Sequence, residues 1–220
     1  MEAMNKKTVY GILNDADGFS VSDNYTWTVA KCKTFWKNLS DFAFSNSEGN
    51  EQELLDKKCL LGSIMSVAGE EENQLISGQD NFITIMLILK ALRENLRFYE
   101  QHIDEELKDL CFTIDRLIHG LNNCGLIDKN NLRIVVQDKN QESDFSKILL
   151  AGQVAEDSKS AYAENYRFFF DKIFRLTVAQ CRSLAEIILY ACSFLHIEVD
   201  SREDGENILK MINNMDSPIG

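Results

Sequence analysis

Residues 80–121 read DNFITIMLILKALRENLRFYEQHIDEELKDLCFTIDRLIHGL and carry the strongest periodic pattern in the chain. Ile85, Leu89, Leu92, Leu96, Tyr99 and Ile103 recur at alternating spacings of four and three, which puts them on one face of an α-helix. Leu107, Leu110, Ile114, Leu117 and Leu121 continue the stripe after a slip between 103 and 107. No Gly or Pro interrupts the stretch from Asp80 to His119. The slip fits one long helix with a stutter, or two helices meeting near His102. Asp104-Glu-Glu favours two, because carboxylates in a first turn face the positive end of a helix dipole.

On the C-terminal side, Gly120 to Asn131 is a polar connector, and Leu132-Arg-Ile-Val-Val136 is the best strand candidate. Ser143 caps a short helix to about 155, and Tyr162, Tyr166, Phe169, Phe170, Ile173 and Phe174 mark another over about 157–175. Thr177-Val-Ala-Gln180 is a capping box that opens a helix to about 196, and a last helix fits 206–215. On the N-terminal side, Leu54, Leu55, Cys59, Leu61, Ile64 and Met65 fit a helix over 51–68. Cys32, Phe35, Trp36, Leu39, Phe42 and Ala43 fit one before it. Two β-prone pieces within 8–21 flank the turn-rich Asn14–Gly18 stretch, suggesting a small hairpin that the 132–136 strand would join. A single proline, Pro218, argues against many short strands. The expected fold is therefore all-α or mainly α. It is one domain over 1–215, a bundle of six to eight helices with at most a small β-hairpin or strand, and 216–220 forms a disordered tail.

The charge balance is 35 acidic against 23 basic residues, a net −12. Such a chain disfavours general binding to a nucleic-acid backbone, itself a dense line of negative charge, and suits a basic partner. The six cysteines form no C-x-x-C pair, and several sit within apolar runs, where a thiol behaves as a small hydrophobe. The N-terminus lacks an apolar stretch after its lysines, and the longest apolar run, Ile85 to Leu89, is far short of the roughly 20 residues a span requires. A cytoplasmic protein without a membrane segment is expected.

Only three histidines are present: His102, His119 and His196. Arg97-Phe-Tyr-Glu-Gln-His102 separates an Arg from a His by four residues. This spacing resembles the R-x4-6-H signature of the HEPN superfamily of helical ribonucleases, although Phe98 stands where Asn is frequent. The resemblance implies metal-independent RNA cleavage at a homodimer interface, with His102 moving a proton and Arg97 stabilising phosphate charge. Arg93 and Lys90 would add positive charge to such a groove. The resemblance can also be aligned on His119. Ile114 and Asp115 then occupy the Arg-Asn positions, Arg116 is out of register, and a degenerate member is implied. The plain alternative is that Arg116, His119 and Gly120 close a helix C-terminus. His102, Cys111, His119 and Cys124 match no zinc spacing, and no metal or cofactor is expected. With no other catalytic motif, the leading expectation is a non-enzymatic helical protein-binding module of the inhibitor, immunity or adaptor type. It would engage a protein partner through an acidic and aromatic surface that includes part of Phe168-Phe-Phe170. The ribonuclease, with RNA as its partner, is the alternative.

Overall fold

The computed structural model describes residues 3–15, 18–22, 25–44, 58–69, 73–99, 104–122, 124–137 and 144–215. They form an α/β fold, not the expected mainly α bundle: a six-stranded mixed sheet accompanies eight α-helices among the described residues. In chain order the elements are β1 (Ala3–Thr8), α1 (Val9–Asp15), β2 (Phe19–Val21), α2 (Val29–Phe44), β3 (Cys59–Val67), β4 (Asn73–Ser77) and α3 (Gln79–Arg97). These are followed by α4 (Glu105–His119), β5 (Ile134–Val136), α5 (Asp144–Ala151), α6 (Ala161–Phe174), α7 (Val178–Glu186), a π-helical turn (Ile187–Ala191), β6 (Cys192–Val199) and α8 (Arg202–Met215).

The strand order is β1-β6-β3-β4-β2-β5. β6 runs antiparallel to β1 and parallel to β3, β4 runs antiparallel to β3, and β2 runs parallel to both β4 and β5. Side chains alternate between the two faces of a strand. Ile64, Leu75 and Phe194 therefore enter the main core, while Met65, Ile76 and Val199 meet Ile208 and Leu209 of α8 on the other face. α3 crosses the main face, where the Phe82 ring lies edge-on to Phe19 of β2 and Phe194 of β6.

At the centre of this sheet, two stretches with a helical reading contain strands. The stretch read as a helix over 51–68 is β3 from Cys59 onward, and 51–57 lie outside the described residues. The helix expected to reach 196 stops at Glu186, turns once in a π-helix, and continues as β6. β6 is buried over most of its length, and the apolar positions of β3 also fit a helical spacing, so period alone does not separate these strands from helices. The hairpin within 8–21 is also replaced. Val9, Ile12 and Leu13 are the buried face of α1, and β2 alone pairs with β5.

The other helices follow the sequence more closely. Of the two arrangements open for 80–121, the favoured pair of helices is the one formed, and the Asp104 carboxylate caps the second by accepting from the Leu107 N–H at 2.8 Å. The Thr177–Gln180 capping box is formed. The Ser143 cap and the 216–220 tail lie outside the described residues.

Gly78 is the single residue joining β4 to α3 and adopts φ 80°; a Cβ there would sit 2.2 Å from the Ser63 carbonyl oxygen. Gly125 has a similar φ of 75° with open space around it. The left-handed conformation alone costs an L-residue about 1–2 kcal/mol. Gly125→Ala should lose no more than that, and Gly78→Ala clearly more, when urea midpoints are compared. Equal losses in the two variants would contradict the close approach of β3 to the β4–α3 junction.

Candidate functional site

α3 has no solvent face along most of its length: every residue from Phe82 to Leu92 is buried. The sheet covers one side, and α4, α5, α6 and α7 surround the rest. Its last two turns carry Lys90, Arg93, Glu94 and Arg97. Their i, i+3, i+4, i+7 spacing gathers them on one face. α4 packs alongside and contributes Asp115 and His119, one turn apart. These six side chains, with Lys129 and Leu150, line a pocket of about 150 Å³.

The internal pairings are specific. Lys90, 3% exposed, places Nζ 2.8 Å from Glu94 Oε1. Arg93 Nε donates to Asp115 Oδ2 at 2.8 Å. Arg97 stands at the rim, largely exposed, 3.7 Å from Glu94 Oε2. Lys129 is exposed on the connector after α4. Both carboxylates are engaged by these cations, and among the described lining residues four cationic side chains face two carboxylates, an excess of two positive charges. In a chain of net charge −12, this is a local reversal of sign.

His119 is 3% exposed, and its Nδ1 is buried without a hydrogen-bond partner. Burial, and then the nearby Lys90 and Lys129, hold its pKa down to about 4. The imidazole is therefore neutral at pH 7 and can accept or donate according to its tautomer. Burial pushes the Asp115 carboxyl up, while Arg93 pulls it the other way. Such a pocket is equipped to hold an anion and to exchange one proton beside it.

Of the residues singled out in the sequence, Arg97 reaches this pocket, while His102 lies outside the described residues, so the pair has no defined geometry. The helical bundle that the HEPN resemblance implies is not the fold of this chain. His119 faces the pocket, but Arg116 does not line it: its guanidinium donates to the Tyr10 hydroxyl at 3.0 Å. Gly120, at φ 69°, ends α4 as the plain reading expected. Cys111 is buried and Cys124 exposed, and among the described residues no three His, Cys, Asp or Glu side chains gather to hold a metal. Of the Phe168–Phe170 triplet, Phe169 is fully buried and its neighbours are half-buried.

Glu94 and Lys129 belong to no sequence motif, and Asp115 enters the sequence reading only as a position aligned with the HEPN Asn. The available signal was the charged i, i+3, i+4, i+7 stripe on an otherwise apolar helix, which reads as a solvated face unless the helix is known to be enclosed. No protein-family model matches the chain, and no curated protein matches it. Among the described residues no helix is long and apolar enough to cross a membrane.

The pH dependence follows from the histidines. Above the ordinary His value of 6.5 neither the folded nor the unfolded chain protonates His119. As pH falls from 6.5 to about 4, the unfolded chain takes up a proton that the folded site refuses, so stability declines. Below about 4 both states are protonated and the loss levels off. His196 shifts in the same direction, by burial. His119→Gln should therefore remove part of the acid-dependent fall in urea midpoint between pH 7 and 4.5, and leave the part due to His196. An unaltered fall in this variant would contradict a neutral, buried His119.

Proposed function

We propose that this protein binds a phosphate-type anion in the pocket formed by Lys90, Arg93, Arg97, Lys129 and His119, and acts through the phosphorylated ligand it holds there. The observation that carries the reading is the excess of two cationic side chains among the described residues lining one small pocket of a strongly acidic chain. A phosphate monoester carries about −1.5 to −2 at neutral pH, which matches that excess. Guanidinium and ammonium donors are the usual partners of such oxygens. The largely buried Lys90–Glu94 pair and the half-buried Arg93–Asp115 pair fix the walls, and Arg97 and Lys129 supply cations at the mouth.

Titration with inorganic phosphate at pH 7 and low salt, followed by backbone amide NMR, tests this reading. Residues 90–97 and 115–119 should shift, and the response should weaken with salt. Arg97→Ala or Lys129→Ala should lower affinity about two- to fivefold, as expected for exposed cations worth about 0.5–1 kcal/mol each. Bound phosphate should also raise the His119 titration midpoint from about 4 and leave that of His196, on the sheet, in place. An unmoved His119 midpoint at saturating phosphate would overturn the reading.

A second reading, the non-enzymatic protein-binding module, is favoured by the exposure of Phe98 at 71% and Phe174 at 62%. The two lie at adjoining helix ends, since Asn95 Nδ2 of α3 donates to the Ile173 carbonyl of α6 at 3.1 Å. A partner recovered from the native host should be lost in the Phe98→Asp, Phe174→Asp double variant. Undiminished recovery would remove these rings from the interface.

A further inference from the structure

A second cavity shares a wall with the cationic pocket. It measures about 340 Å³ and is lined by Gly152, Val154 and the aromatic side chains Tyr166, Phe170 and Phe174 of α6, with Arg167 and Asp171 at its margin. The shared wall is the C-terminal end of α5. Leu150 lines the pocket and Gly152 lines the groove. Gly152 lies so close to α3 that a Cβ would fall 2.4 Å from Glu94 Cγ, and Glu94 is itself a pocket residue. The Tyr166 hydroxyl donates to the Gly152 carbonyl at 3.1 Å and fixes this wall to α6. Cations therefore lie on one side of a single peptide turn and an aromatic groove on the other.

The groove has the character of a stacking platform. The Phe170 and Phe174 rings are near-parallel, with centroids 6.3 Å apart and planes at 18°, and Tyr166 tilts toward Phe170 with centroids 6.0 Å apart. Phe174 is 62% exposed. The polar groups at the margin are already engaged: Arg167 donates to the Ala155, Glu156 and Ser158 carbonyls, and Asp171 pairs with Arg175.

We infer that the ligand is a nucleoside monophosphate, its phosphate in the cationic pocket and its base laid against Phe170 and Phe174. The inference rests on the phosphate reading above and extends it across the shared wall. One phosphate monoester balances the excess charge. A flat aromatic base suits near-parallel rings better than an aliphatic chain does, because every base has a π-face that stacks on an aromatic side chain. With the margin groups engaged within the protein, recognition runs through stacking, and base selectivity is low.

Calorimetric titration of the full chain with adenosine and uridine monophosphates, ribose 5-phosphate, inorganic phosphate and adenosine separates these elements. Adenosine monophosphate should bind roughly ten- to a hundredfold tighter than ribose 5-phosphate, the range of a stacked base, and uridine monophosphate should fall between them. Phe174→Ala, at an exposed position, should bring the nucleotides down toward ribose 5-phosphate and leave inorganic phosphate unaffected. Arg97→Ala should weaken every phosphate ligand alike. Equal affinity for nucleotide and ribose 5-phosphate would overturn the nucleotide inference and leave the phosphate pocket standing. Absence of binding by all phosphates would overturn both, as would adenosine binding as tightly as its monophosphate.

Discussion

A helix with no solvent face is the constraint from which the rest of the molecule follows. α3 is apolar around its whole circumference from Phe82 to Leu89, so it must be enclosed by a sheet on one side and by helices on the others. Its buried polar groups are satisfied locally. The Thr84 hydroxyl shares a hydrogen bond with Tyr25 at 2.8 Å, and Asn165 of α6 donates to that same tyrosine oxygen and to the Trp27 carbonyl. At the other end of the helix, Asn95 donates to the Ile173 carbonyl. These two polar pins hold α3 and α6 in register, and a buried polar group left unpaired would cost more than its bond contributes.

Enclosure also dictates the chemistry at the end of α3. A lysine on an exposed helix needs no partner, but Lys90 is taken out of water and is paired with Glu94. Arg93, half-buried, pairs with Asp115 from the neighbouring helix. The cavity is thus formed where a buried core helix turns polar before it emerges. His119 is neutral for a related reason: burial opposes its charge, and the lysines around it reinforce that opposition. An overall charge of −12 repels an anion at long range, but the field inside a small pocket is set by the groups that line it.

The sequence revealed the amphipathic elements and concealed the enclosed ones. α4, with Leu107, Leu110, Ile114 and Leu117 on one side and Asp104 at its cap, is half wet, and its pattern is legible. So are the capping box of α7 and the short β5. β3 and β6 are inner strands, paired on both edges; β6 is buried over most of its length and the apolar residues of β3 also fit a helical spacing, so neither shows the clean alternation of a half-wet strand. Gly62, with φ 131° at a shift in the β3 register, and the serines at 63 and 66 were the local cues against a helix there. The site divides in the same way. Arg97 and His119 drew attention through spacing, whereas Glu94, Asp115 and Lys129 acquire meaning only once α3 is buried and α4 is set beside it.

The place of β6 in the sheet has a consequence for how the chain is assembled. It lies between β1 and β3, pairing Ala3 with Glu198 and Cys59 with Cys192, yet it is the last of the six strands to leave the ribosome. Until it arrives, the first strand has no neighbour and β3 presents an open edge. Loop closures this long are slow, and unpaired strand edges invite association with other chains. Until β6 is made, the nascent protein therefore carries a lone first strand and an incomplete sheet. The polar, lysine-bearing character of β1, with Lys6 and Lys7 along it, suits a strand that must wait in water for its partner.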